Sequence, residues 1–439
     1  MIQSLFFILV LGVTGWFAWK GYGRVWRNIN LGKAEKIGGN TAQRWRNVLL
    51  VAFGQQKMFK NWLPAVLHLF IYVAFVVTQV ELIEIFVDGT FGTHRFFAAS
   101  LGGFYTFVIS FIEILSMLAF VATLIFLSRR NLLRVPRFWK PEMKGWPFRD
   151  ANLILLGEII LIVGIFCMNG GDKVLQTRGL EHYQPTGAFA VSSWLGPMLF
   201  GNMSDAAVIG VERFGWWLHI LTVFGFICYL PYSKHLHILL AFPNTWYAKL
   251  SPKGEMENMP EIQKEVRIIM GLEQPDGNPP AELPEFGAND VFSLSWQNIL
   301  QAYSCTECGR CTAVCPANIT GKKLSPRKVM MDVRDRAEEV GKALETKDQH
   351  PKTKDSFNDG KSLFDRITPE ELHACTTCNA CVEACPVLIN PLDIILKMRR
   401  HEILTQSAGP AEWLPMFNAI ENNGAAWAMS EERERWRNQ

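Results

Sequence analysis

Three things are scarce in this chain of 439 residues, and each narrows what it does. Charge of one sign is the first: 44 Lys and Arg against 41 Asp and Glu leave a net charge of +3, too little to argue for a nucleic-acid partner. The second is a nucleotide fingerprint. No G-x-G-x-x-G sequence occurs, so nothing marks a flavin or nicotinamide site of the chain's own. The third is spare cysteine. Eight of the ten cysteines stand in two compact motifs of the polar half, and Cys167 and Cys228 fall in apolar runs, where they read as small buried residues.

What is abundant is long hydrophobic sequence, almost all of it before residue 240. Crossing about 30 Å of hydrocarbon takes about 20 helical residues, and five stretches qualify: Ile2–Trp19, Trp62–Phe86, Phe104–Leu127, Leu153–Met168 and Phe214–Leu230. No basic residue precedes the first run and no A-x-A-like site follows it, so it reads as a retained anchor rather than a signal peptide. Residues 20–60 hold nine Lys and Arg and 128–150 hold seven, against one in 87–103 and two in 169–211. Because positive loops stay inside, the expected amino terminus is outside and everything after about residue 240 is cytoplasmic.

The polar half carries a repeat. CTECGRCTAVCP places Cys305, Cys308, Cys311 and Cys315 ahead of Pro316, and CTTCNACVEACP places Cys375, Cys378, Cys381 and Cys385 ahead of Pro386. In the C-x2-C-x2-C-x3-C-P pattern, three close thiolates hold one [4Fe–4S] cluster and the fourth cysteine ligates the other. The expected ligand sets are therefore Cys305, Cys308, Cys311 and Cys385 for one cluster, and Cys375, Cys378, Cys381 and Cys315 for its neighbour. Structural zinc needs two cysteine pairs and would waste the remainder, and disulfides need an oxidising compartment that the charge bias denies.

Histidines are the second set of candidate ligands. His219 and His237 are 18 residues apart, which on one unbroken helix is five turns, about 27 Å, along one face. Pro231 lies between them as a possible kink. His68 lies six residues into the second run, near the inner surface and level with His237, so the two are the expected axial ligands of an inner b-type haem. His219, placed at the outer end, has His94 as its nearest possible partner for a second, outer haem. His235 reads as a headgroup contact and His350, His373 and His401 as surface residues, His373 being close enough to Cys375 to influence that cluster.

The five-span plan and the pattern LH…LPYSKHLHI…FP resemble the membrane haem-b gamma subunit of respiratory nitrate reductase. The cysteine-bearing extension is similar to the ferredoxin-like part of heterodisulfide reductase D-type iron–sulfur proteins, including membrane quinone reductases fed by electron-transfer flavoprotein. In the gamma-subunit family two histidines on the second span and two on the fifth hold two haems. His219, His237 and His68 match three of these, whereas the fourth position falls on Thr78, which is not a ligand. The D-type resemblance implies that substrate chemistry belongs to a separate subunit, a CCG-domain protein, a flavoprotein or electron-transfer flavoprotein.

The expected fold is a membrane all-α protein: a five-helix transmembrane bundle (1–240), a linker (241–290), a mainly α cytoplasmic ferredoxin-like domain with two [4Fe–4S] clusters (291–400), and a tail (401–439) that packs on the cluster domain or docks a partner. The expected function is an oxidoreductase subunit of the cytoplasmic membrane passing electrons between a soluble redox partner and the quinone pool, with membrane lipid and quinone as its other partners. Intramembrane carboxylates are functional hypotheses by default. Glu113 and Glu158 are the candidates for quinone or proton handling, and Glu81 and Glu84 are expected to reach the outer interface. The alternatives are a subunit acting on a thiol/disulfide substrate and a zinc-module membrane anchor.

Overall fold

The computed structural model describes residues 2–274, 285–345, 357–427 and 435–438. His350, most of the Pro/Gly-rich connector and the first half of the loop between the motifs lie outside the described residues. Among the described residues there is no β-strand, only one bridge between Lys33 and Ser295. Five helices are long and apolar enough to cross a membrane: Ile2–Ile29, Trp62–Phe91, Gly103–Asn131, Trp146–Thr177 and Asp205–Tyr232. Each outruns its apolar core, because backbone hydrogen bonding does not stop where hydropathy does. The fourth gains most at its carboxyl end, where Asn169, Asp172 and Lys173 are buried inside the bundle.

The fourth and fifth spanning helices make the closest crossing. A Cβ built on Gly215 would stand 2.5 Å from the Met168 nitrogen, and one on Gly164 would stand 2.9 Å from the His219 nitrogen. Only glycine permits this approach, as at other membrane helix crossings. The second span is interrupted at Thr78, between the helices Trp62–Val77 and Gln79–Phe91. The Thr78 hydroxyl donates to the Phe75 carbonyl at 3.3 Å, a back-bond that favours bending.

The fifth span ends differently from the expectation. Its α-helix stops at Tyr229, two 3-10 turns follow at Leu230–Tyr232 and Lys234–Leu236, and a new helix runs from His237 to Trp246. Pro231 lacks the amide that would continue the ladder. His219 and His237 are therefore not on one face of a single helix. His219 also lies 14 residues inside the helix that starts at Asp205, about 21 Å along its axis, so it is mid-span rather than at the outer end.

The cysteine-bearing part is built on helices Trp296–Tyr303, Pro326–Glu345 and Pro391–Arg400 around a core that includes Leu324, Met330, Val333, Ile394 and Met398. It shares a second core with one end of the bundle: Val25, Ile29, Leu230 and Leu236 pack with Ile299, Leu300, Tyr303 and Val340. Polar contacts fix the seat. Asn28 donates to the Tyr303 hydroxyl at 2.9 Å, Arg24 pairs with Glu338 at 3.3 Å, and fully buried Arg327 pairs with Glu142 at 2.7 Å. A Cβ on Gly341 would collide with the Asn28 side chain, which shows how closely the long helix lies on the first span.

Candidate metal centres

The two cysteine loops curl alike. Residues two and four places after the first cysteine adopt left-handed backbone in both motifs: Glu307 (φ 52°) and Gly309 (φ 71°), then Thr377 (φ 56°) and Asn379 (φ 60°). This curl turns three thiols of each loop inward. The fourth leaves its own loop, since Pro316 opens a new helical turn straight after Cys315. Cys315, Cys375, Cys378 and Cys381 line one cavity. Cys305, Cys308, Cys311 and Cys385 form the other group, each within electrostatic reach of others in the set, and Cys311 also senses Cys381. The structure thus brings together the same two crossed sets of four that the spacing predicts.

None of these cysteines is in a disulfide. Burial, reinforced by neighbouring sulfurs, pushes Cys305 and Cys381 up to about 12 and Cys385 up to about 11. Such thiols ionise when a cation joins them, so the donor set fits iron better than it fits reactive thiol chemistry.

The group containing Cys305 faces the membrane helices. Arg310, inside its loop, donates weakly to the carbonyls of Lys57 (3.4 Å) and Met58 (3.5 Å), just before the second span. Glu307 joins Lys234 and Arg334, the latter at 2.7 Å. Burial would raise the Glu307 carboxyl, but those two cations hold it below the usual range. Lys234 leads directly to the histidines.

His68, His235 and His237 are close enough for their charges to interact, and Arg310 acts on His68 as well. The expected inner pair is thus in one neighbourhood, together with a third imidazole. His235 is not a headgroup contact: its ring lies 5.6 Å from that of His237 and 5.9 Å from that of Phe226. The 3-10 turns after Pro231 fold it inward, and burial pushes it down to about 3 and lowers His237 too.

The hydrogen bonds of these imidazoles are informative. His68 Nδ1 meets the Gln55 side-chain carbonyl at 3.0 Å, His237 Nδ1 meets the Lys234 carbonyl at 3.1 Å, and His219 Nδ1 meets the Leu161 carbonyl at 3.1 Å. A carbonyl only accepts, so each Nδ1 carries the proton and each Nε2 keeps its lone pair. That is the arrangement in which metal-binding imidazoles are held. Gln55 was not foreseen; only its left-handed backbone (φ 49°), visible in three dimensions, aims it at His68.

His94 does not join His219. It lies against His182 and Tyr183, with ring centroids 5.1 Å away in each case, and its Nε2 is 3.4 Å from Asp172. No described contact links it to His219, so the expected outer pair is not formed. Burial lowers His94 to about 4 even with Asp172 beside it.

Glu81 and Glu84 are also corrected. Neither reaches the outer interface, and both are buried around Arg95, which folds back from the following loop. Arg95 contacts Glu81 at 3.5 Å, Asp172 at 3.2 Å and Asn169 at 2.5 Å, and Tyr105 donates to Glu84 at 2.6 Å. A guanidinium has enough donors to gather several carboxylates. Glu113 accepts from the Val191 amide (2.7 Å) and the Ser192 amide (3.0 Å), tying the helix at Ser192–Phe200 to the third span. Glu158 receives one hydrogen bond, from Thr123 at 3.1 Å. Two histidines read as surface are enclosed instead: His401 is buried beside Phe364, and His373 bonds Glu402 at 2.9 Å while its ring packs on Trp413 of the tail.

Residues 304–389 match the 4Fe–4S dicluster domain. The iron–sulfur expectation therefore stands: the chain joins five apolar helices to a domain of the 4Fe–4S class. Over 94% of its length it is 27% identical to a probable iron-sulfur-binding oxidoreductase, FadF, of Bacillus subtilis, covering 57% of that protein. Over 88% it is 25% identical to the EtfAB:quinone oxidoreductase of Syntrophomonas wolfei, covering 53%. A further 34% identity, over 31% of the chain, relates it to 22% of a probable membrane-anchored ferredoxin of Chromohalobacter salexigens. The chain spans about half the length of the first two relatives. No solved structure matches it.

Proposed function

We propose that the protein carries electrons across the inner face of the cytoplasmic membrane, between a soluble redox partner and the quinone pool. In this reading the two crossed cysteine sets each hold a [4Fe–4S] cluster. His68 and His237 hold one b-type haem through Nε2, oriented by Gln55 and by the Lys234 carbonyl. When bound, the haem supplies a one-electron carrier within the bilayer. The names of two relatives, an iron–sulfur oxidoreductase and an EtfAB:quinone oxidoreductase, support a flavoprotein on the soluble side and quinone on the other. The basic loops at 20–60 and 128–150 support a cytoplasmic iron–sulfur domain. Of the two carboxylates proposed for proton handling, Glu158 has capacity to spare, whereas Glu113 is occupied by backbone amides.

The observation that supports the reading is that Arg310, which stands in the loop of one thiol set and reaches the Lys57 carbonyl, is near enough to act on His68 of the histidine cluster. A chain that only anchored a ferredoxin would not need half-buried imidazoles whose Nδ1 atoms are engaged by carbonyls at that spot. The test is a reduced-minus-oxidised spectrum with iron, sulfide and haem quantitation. About eight non-haem irons and one haem per chain are expected, with haem lost in His68→Ala and in His237→Ala while the irons remain. Haem content unchanged by both substitutions would overturn the haem assignment, and a zinc-only chain would overturn the whole reading.

A further inference from the structure

The two thiol sets differ in the charge around them. Near the membrane-facing set, Arg137 lies within electrostatic reach of Cys308, Lys57 within reach of Cys385, and Arg310 stands in the loop itself. The buried Nε of Arg137 has no hydrogen-bond partner. Glu307, a carboxylate acting on Cys305, is already offset by Lys234 and Arg334. Beside the other set, Arg399 donates to the carbonyls of Leu372 and Cys375 and has Glu402 near it, Lys57 also reaches the Val382 carbonyl at 3.5 Å, and Lys60 and Lys253 are both paired with Glu383. Its Cys378 is exposed to solvent.

A cluster held by four thiolates is anionic and gains a further negative charge on reduction. A buried cation beside it favours the reduced state, while solvent weakens such an effect. We infer that Arg137, Arg310 and Lys57 form a counter-charge shell that places the reduction potential of the membrane-side cluster above that of the exposed cluster. The shell thereby sets the direction of flow: an electron taken up at the exposed site from a reduced flavin of the soluble partner moves inward toward His68 and His237. One electron leaves the first site and arrives at the second, and no proton or bond changes hands. The inference rests on the reading above that both cysteine sets hold clusters.

The test is a potentiometric titration of the full chain in detergent, followed by electron paramagnetic resonance. Cys378→Ser identifies the exposed cluster by altering its spectrum. Arg137→Gln and Arg310→Gln should each lower the membrane-side potential alone, by at least a tenfold change in how the two sites share an electron, about 59 mV. Arg137→Lys, which keeps the charge, should restore it, and Arg399→Gln should move the other cluster. Two clusters present but unmoved by both glutamine variants, or moved equally, would overturn the inference, as would a wild-type order with the exposed cluster higher. A chain that binds no clusters at all overturns the earlier reading instead.

Discussion

Replacing Glu307 by glutamine tests how the iron–sulfur domain is seated on the bundle. Glu307 is buried, and it ties Lys234, from the turn that carries the inner histidines, to Arg334 of the long helix. The amide keeps the shape but removes the carboxylate between the two cations, leaving Arg334 with Asp335 at 3.0 Å and Lys234 with the more distant Asp150 at 3.9 Å. Removing one partner of a buried ion pair costs about 3–5 kcal/mol. Because the Lys234 and Arg334 side chains keep 9% and 18% exposure, water screens part of the stranded charge, and the low end, about 3 kcal/mol, is expected. For a cooperative unit of 150–250 residues each kcal/mol moves Tm by roughly 2–4 °C, so Glu307→Gln should melt roughly 6–12 °C below wild type. Thermal unfolding in detergent, read by tryptophan fluorescence, measures this. Adding Lys234→Met removes a stranded cation and should recover part of the loss. A single variant melting within about 1 °C of wild type would refute the idea that this triad clamps the two parts together.

Three further outcomes are expected. Gln55→Leu should weaken haem retention about 10–100-fold while leaving the iron–sulfur content intact, as loss of an orienting partner does at other metal sites; haem per chain after dialysis reads it. Gly215→Val should cost roughly 1–3 kcal/mol or more, because the added side chain meets the Met168 backbone, which cannot swing aside, and the yield and melting temperature of the detergent-solubilised chain report it. The hydrogen bonds from Arg336 push the carboxyl of Asp359 down to about 2, below its unfolded value of about 3.9. The stabilisation is thus complete above about pH 4 and is lost as pH falls toward 2; Arg336→Leu should be less stable at neutral pH and lack this acid-side loss, as denaturant titrations at several pH values would show.

Much of the site could be read from spacing alone. The two cysteine motifs announce a 4Fe–4S domain because a cube of iron and sulfur tolerates few separations between its ligands along the chain. The five apolar runs announce their helices because the bilayer demands a minimum length. What the sequence could not settle is wherever a polar side chain chooses between water and a partner. Glu81 and Glu84 looked free to reach the interface until Arg95 folded over them, and His401 looked like a surface residue until the helix before it turned inward.

The sequence by itself thus determined composition by layer and the local ligand geometry of the cysteine loops, since both follow from contacts a few residues long. Only the tertiary structure decided which histidines share a neighbourhood. That depended on Pro231 ending the fifth helix and swinging His235 and His237 inward, and on Gln55 adopting a left-handed backbone to reach His68. It also decided the charge around each thiol set, because Arg137, Lys57 and Arg399 come from segments far apart in the chain, and their proximity to sulfur is settled by packing rather than by spacing.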